Sequence, residues 1–302
     1  MSTWQNRGGR QARLSLEGRV SGPLFVAPFL LVFGLFLVVP LVWGLWMSFT
    51  NSSLTGRGDS SFVGFANYGE ALTDPKMWET IGHTVLFTAL STVPLVLFAL
   101  VMALLVHIGL PGQWLWRLSF FAPYLLTSAV VWQVGLLIFQ TDSGMLNTML
   151  KAVGLDGIGW LVEEKWAMWS VALITVWWTV GFNFLLYLAA LQSVPDELYE
   201  AAAIDGAGAW RRMWAITLPQ LRRTTVLITV LQVLASLKVF DQIYMLTKGG
   251  PDGSTRPILE YIFDSGFTGY RLGYAAAMSY IFFALLLILS IGQLKFFSRR
   301  EA

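Results

Sequence analysis

Glu200, Ala201, Ala202, Asp205, Gly206, Ile216, Leu218 and Pro219 form a patterned polar island between two long apolar runs. The chemistry such residues offer is docking rather than bond-making. The carboxylates supply charge, the alanines leave a face without bulk, and Gly206 can take φ > 0 and turn the chain. The second set of candidates comprises polar groups inside apolar runs. Gln232, Ser236, Lys238 and Asp241 share one run, Thr175, Trp177, Trp178, Thr179 and Asn183 the run before it, and Gln133 an earlier one. Polar groups at membrane depth are costly unless paired or wet, which makes them the default candidates for a solute path.

Gln232 and Ser236 are four apart and share a helical face. Lys238 and Asp241 are three apart and are expected to form a structural ion pair near the outer end of their run. Trp faces stack on sugar rings, and they serve equally in interfacial belts or helix packing. His83 and His107 sit near run ends and read as interfacial residues. No paired-carboxylate, Ser/His or metal constellation lies inside the runs, so no catalytic residue and no metal site is predicted. The absence of Cys excludes disulfides and thiolate metal sites.

These groups need a membrane frame to hold them. The 302 residues are 56% apolar and 13% charged, against about 25% charged in a soluble domain. Fourteen Trp and 21 Phe suit lipid-facing and interfacial surfaces, and a net charge of +2 gives no case for nucleic acid. A spanning helix needs ~20 mostly apolar residues. Six stretches qualify: Leu24–Phe49, Thr84–Val106, Leu118–Gln140, Trp166–Ala190, Thr224–Thr247 and Leu272–Leu294. Pro40, Pro94 and Pro123 lie inside the first three, where proline often marks a kink. The chain therefore reads as an all-α polytopic membrane protein with six transmembrane helices. No internal repeat, broken helix or inverted half is evident.

Charge asymmetry sets the orientation. With the N-terminus cytoplasmic, the inner segments hold twelve basic residues and the outer loops seven. Both termini and the loop 191–223 then lie inside. Residues 1–22 form a basic cytoplasmic tail, 23–298 the transmembrane domain (core 80–294), and 299–302 a second cytoplasmic tail. The outer loops mix Gly with aromatic and apolar residues, as in 62–68, 144–147 and 248–251, and are expected to fold as short helices on the outer surface. In the inner loop, Ser193 and Asp196 form a plausible capping pair, with Pro195 in the first turn of a short helix. Asp196, Glu197 and Glu200 suit that helix N-terminus. A second helix is expected over Trp210–Ile216, stopped by Pro219, with Arg211, Arg212, Arg222 and Arg223 facing the anionic inner leaflet.

The spacing within this loop is specific. Glu200-Ala201-Ala202, three residues, Gly206, nine residues, Ile216, one residue and Leu218-Pro219 together resemble the coupling loop of binding-protein-dependent ABC-importer permeases. Residues 62–68 with Asp74-Pro75, 237–241, 247–251 and 271–277 resemble segments of the carbohydrate-uptake (maltose and glycerol-phosphate permease-like) branch. The resemblance implies a type I importer permease fold in the bacterial plasma (inner) membrane. It implies a second homologous permease, two ABC ATPase subunits docked on the coupling loop 196–219, and an extracytoplasmic solute-binding protein that delivers a mono- or oligosaccharide. It also places Gln232 and Ser236 near positions that contact sugar in maltose-type relatives, and apolar Val239 near a third. No Gly-x-x-x-x-Gly-Lys-Ser/Thr loop is present, so ATP and Mg are expected to be used by the partner ATPase, with no cofactor bound by this chain.

Other readings remain at this point. A permease for a polyol or glycerol phosphate uses the same machinery. A secondary transporter would need ion-coupling groups, and the runs offer one candidate ion pair. A membrane-embedded enzyme finds no support in any residue constellation.

Overall fold

The computed structural model describes residues 25–56, 60–109 and 111–298. The expected tails, 1–22 and 299–302, lie outside the described residues. Among the described residues the regular elements are helical, with two isolated β-bridges, Thr50 to Phe62 and Ser53 to Arg271.

Among the described residues, four helices are long and apolar enough to cross a bilayer: α1 (Phe25–Ser48), α3 (Pro75–His107), α7 (Glu164–Gln192), and a fourth over Leu272–Gln293 within α13 (Leu272–Ser298). Between α1 and α3 lies the short α2 (Ala66–Thr73). The expected third span is a bent pair. α4 (Gln113–Phe121) runs into a 3-10 turn at Ala122–Leu125, and α5 (Ser128–Phe139) leaves at 98°. Pro123 sits in that turn, where its missing N–H and fixed φ favour a tight corner over a continued helix.

The expected fifth span is also divided, into α10 (Arg222–Leu237) and α11 (Asp241–Leu246). Sixteen residues make about 24 Å of helix, less than the ~30 Å of a hydrocarbon core. Helical bonding tightens and stops at the break: Lys238 and Val239 donate only three residues back, to Ala235 and Ser236, and Phe240 takes φ −146°. Val239 is thereby buried against Phe87, Val131, Ile174 and Ile243. The expectation of no broken helix is corrected here. So is the Lys238–Asp241 pair: the two residues fall on opposite sides of the break, both side chains are exposed, and no ion pair joins them.

Pro40 and Pro219 act differently from Pro123. Each follows a widened π turn, Gly34–Val38 and Met213–Thr217 respectively. A proline ring clashes with the carbonyl four residues back, and a widened turn moves that carbonyl aside.

The core is built on α3 against α7. Leu95, Ala99 and Ala103 repeat at four-residue spacing and meet Val180, Phe184, Tyr187 and Leu191. The small residues let the helices approach closely, which is how membrane helices gain packing without a hydrophobic drive between them. Gly181 has the same role toward α4: a Cβ there would lie 2.5 Å from the Phe120 carbonyl oxygen.

The segments between spans fold into short helices, including α6 (Met145–Ala152) and α12 (Ile258–Phe263). Two hubs fix them. Asn147, fully buried, donates to the carbonyls of Thr141 and Ile158 and accepts from Ile158 N–H and the Trp160 indole, each at 2.8–3.0 Å. Asp74 caps α3 through the Lys76 N–H and accepts from Tyr261 at 2.5 Å and Tyr274 at 2.7 Å. Burial pushes the Asp74 carboxyl up, and these three hydrogen bonds outweigh it and hold the group below the usual carboxylate value.

Candidate functional site

Two features built by α7 and α10 carry the functional case. The first is the elbow between them. α8 (Asp196–Ile204) follows α7 after a short turn, and Pro195 holds its N-cap position. Ser193 does not cap it: its hydroxyl donates back to the Ala190 carbonyl at 2.7 Å, closing α7 instead. The C-terminus of α8 is a Schellman turn. Ala207 N–H reaches Ala202 O at 2.8 Å, Gly206 N–H reaches Ala203 O at 3.0 Å, and Gly206 takes φ +77°. Glycine bears that conformation without the Cβ penalty an L side chain would carry.

Beyond the turn, α9 (Ala209–Arg212) continues through the π turn Met213–Thr217 and a last short turn, Leu218–Gln220. The second helix thus starts a residue early and runs past Pro219 rather than stopping before it. The π turn is what lets it do so. Tyr199 on α8 and Thr217 on the return arm share a 3.0 Å hydroxyl hydrogen bond, which sets the angle of the elbow.

The elbow's outer face is open. Glu200, Ala201, Asp205, Gly206 and Pro219 are exposed, and Ala202, Ile216 and Leu218 half-buried. Ile204 at its tip is 87% exposed and Trp210 72%. An apolar tip beside the carboxylates of Asp196, Glu197, Glu200 and Asp205 is the pattern of a docking surface.

The second feature is a cavity of about 230 Å³ between α7 and α10. Thr175, Thr179 and Asn183 line it from α7, and Leu231, Gln232, Ala235 and Ser236 from α10. Asn183 donates to the Gln232 carbonyl oxygen at 2.9 Å, Gln232 donates to Ser236 at 3.0 Å, and the hydroxyls of Ser236 and of Ser91 on α3 meet at 3.0 Å. Three sequence candidates are therefore joined in one polar relay across two helices.

Others fall elsewhere. Trp178 packs edge-on against Trp132 with centroids 5.3 Å apart, and its indole donates to the Leu126 carbonyl at 3.2 Å. It ties the bent junction of α4 and α5 to α7 and does not line the cavity. Lys238 and Asp241 flank the lining without joining it, whereas Val239 and Gln242 line it. Gln242 was missed by sequence reasoning because it lies beyond the break. Phe87, Tyr124 and Phe182 were missed because an aromatic residue in an apolar run carries no signal of which way it faces.

The elbow and the cavity share their helices. Asn183 precedes the end of α7 by nine residues and Gln232 follows the start of α10 by ten, so each lies about 15 Å of rigid helix from the elbow.

Comparison with known proteins agrees with this arrangement. The family described as the inner membrane component of binding-protein-dependent transport systems matches residues 82–301. The sulfoquinovosyl glycerol transport system permease SmoG of Agrobacterium fabrum is 37% identical, covering 90% of this chain and 88% of its own. The trehalose/maltose transport system permease MalF of Thermococcus litoralis is 32% identical over 91% and 92%. Among solved structures, a bacterial ABC transporter that imports alginate superposes with a TM-score of 0.81 at 23% identity, covering 96% of this chain and 98% of its own, which shows the fold. The chain is a multi-pass membrane protein that belongs to the family of inner membrane components of binding-protein-dependent transport systems.

Proposed function

We propose that the chain is the permease subunit of an ATP-driven importer for a sugar, working beside a second permease and moved by two separate ATPase subunits. The observation that carries this reading is the placement of an exposed, glycine-turned elbow on the same two helices that wall the polar cavity. A force on the elbow is transmitted along α7 and α10, because helices bend little over ~15 Å. Rotating the two walls opens the relay of Asn183, Gln232 and Ser236 to one side of the membrane or the other.

Several features support the finer parts. The acidic α8 with its apolar tip suits a basic-rimmed apolar cleft on a cytoplasmic ATPase, where ATP and Mg would be handled. The similar permeases from Agrobacterium and Thermococcus are named for carbohydrate solutes. The six apolar runs support a six-span arrangement, with the divided α10–α11 region as the fifth crossing, and the charge bias supports cytoplasmic termini. A division into tails 1–22 and 299–302 and a permease body 23–298, with core 80–294, is part of the same proposal.

The test is affinity purification of the tagged full-length chain from its own membranes. An ATPase and a second permease are expected to co-purify, and Glu200→Arg is expected to release the ATPase while the permease pair stays together. Recovery of the chain alone, or an undiminished ATPase yield with Glu200→Arg, would remove the coupling assignment.

A further inference from the structure

The groups lining the cavity specify a class of solute. None of them is an acid, a lysine, an arginine or a histidine. We infer that this cavity takes a neutral polyhydroxyl solute and turns away sugars that carry a phosphate, sulfonate or carboxylate. The inference rests on the import reading above and sharpens it, because family membership alone leaves both solute classes open: one similar permease is named for a sulfonated glycoside and another for neutral disaccharides.

The hydrogen-bond inventory supports the distinction. An anion asks for donors only, whereas a sugar hydroxyl both donates and accepts. Thr175 spends its proton on the Val171 carbonyl at 2.7 Å and Thr179 on the Thr175 carbonyl at 2.7 Å. What these two hydroxyls offer a guest is lone pairs, which repel an anion and accept from a hydroxyl. Asn183 and Gln232 satisfy one bond in each other and keep both a donor and an acceptor in reserve. The Gln242 amide has no protein partner among the described residues, so it too offers both. Ser91 spends its proton on the Phe87 carbonyl at 2.8 Å, so Ser236 accepts from Gln232 and gives its own proton to Ser91, which leaves a lone pair rather than a donor for a guest.

The apolar lining agrees. Phe87, Tyr124 and Phe182 supply apolar ring surface that suits the C–H face of a pyranose or furanose, and of the three only the Tyr124 hydroxyl could donate to an oxyanion. The nearest ionisable side chains along the chain, Lys238 and Asp241, flank the lining on exposed positions and have opposite signs, so they add no net charge. A buried anion without a cation at membrane depth is strongly disfavoured.

The test is uptake in cells that carry the gene, before and after its deletion, with complementation by the full chain. The labelled probes are maltose, trehalose, lactose and arabinooligosaccharide as neutral solutes, and sn-glycerol 3-phosphate, sulfoquinovosyl glycerol and an alginate pentasaccharide as anionic ones. Deletion is expected to lower uptake of one or more neutral probes by at least ~10-fold, a loss complementation restores, and to leave the anionic probes unchanged. Loss of any anionic probe would overturn the neutral-solute inference while leaving the import reading in place. Loss of none would remove the import reading itself, and this inference with it.

Discussion

Asn183 on α7 and Gln232 on α10 meet at 2.9 Å, 49 residues apart in sequence, and their amide pair is the polar seam across the cavity. Asn183 is 2% exposed, so its amide is largely withdrawn from solvent. Losing one partner of a buried pair leaves the other unsatisfied, at a cost of ~1–3 kcal/mol. Asn183→Leu and Gln232→Leu are each expected to lower the thermal unfolding midpoint of the detergent-purified protein. The double variant should be less destabilised than the sum of the two, by ~0.5–3 kcal/mol of coupling. Strict additivity in that cycle would show that the pair is not coupled.

Gly206 is sterically open, with nothing within 4 Å of an added Cβ, so only its φ of +77° penalises a side chain. An L residue held there costs ~1–2 kcal/mol, least for Asn. Gly206→Val is expected to swing the elbow and reduce solute uptake by ~10-fold or more at near-normal membrane abundance, and Gly206→Asn to retain most of it. Uptake assays with immunoblotting of the membrane fraction read both. Equal uptake by the Val and Asn variants would show that the left-handed turn does not matter.

Gly181 carries a packing prediction. A Cβ would approach the Phe120 carbonyl oxygen at 2.5 Å and the Phe121 Cα at 2.9 Å, both backbone atoms that cannot rotate away. Gly181→Ala should therefore push α4 from α7 and destabilise by ~1–3 kcal/mol. Gly208, the N-cap of α9 and also free of contacts within 4 Å, provides the steric control: Gly208→Ala meets no atom and should destabilise less than Gly181→Ala.

Glu260 on α12 gives a pH prediction. It is 2% exposed, and burial pushes its carboxyl up to about 7 from 4.5; Arg256 opposes the shift and Asp264 adds to it. The folded state therefore holds a proton that the unfolded state releases. The stability this contributes is full below about pH 4.5 and is lost as pH rises through about 7. Glu260→Gln keeps the neutral shape, so its unfolding midpoint should fall less than that of wild type between pH 5 and pH 8. Thermal scans across that window check it, and parallel curves for the two proteins would contradict the buried, protonated carboxyl.

Asp74 has the opposite sign. Its carboxyl is held below the usual value by Tyr261, Tyr274 and the Lys76 N–H, so its contribution is present near neutrality and lost on acidification. Asp74→Ala removes the cap of α3 and strands two phenols. It is expected to cost ~2 kcal/mol or more, and Tyr261→Phe less than half of that.

The elbow was legible in the sequence because its causes are local. The Schellman bonds of Ala207 and Gly206 span three to five residues, and glycine at position 206 is what they need. The apolar runs were legible for the same reason, since a bilayer demands length and composition before any tertiary contact forms. The failures are instructive. Lys238 and Asp241 share a face only if the helix between them continues, and it stops at Leu237 and restarts at Asp241, with Val239 buried in the break. Trp178 bears the composition of a sugar platform, yet its orientation came from the Leu126 carbonyl and the Trp132 ring, on the neighbouring bent pair.

By itself, then, the sequence determined that this is a helical membrane protein with a small-residue elbow between two apolar runs, because periodicity, hydropathy and turn chemistry act over a few residues at a time. Only the tertiary structure decided that Asn183, Gln232, Ser236 and Gln242 share one uncharged cavity, that α4 and α5 meet at 98°, and that the expected ion pair does not form. Those outcomes depend on which faces of α3, α7 and α10 pack together, and packing between helices of similar hydropathy is settled by shape and hydrogen-bond matching across distant segments.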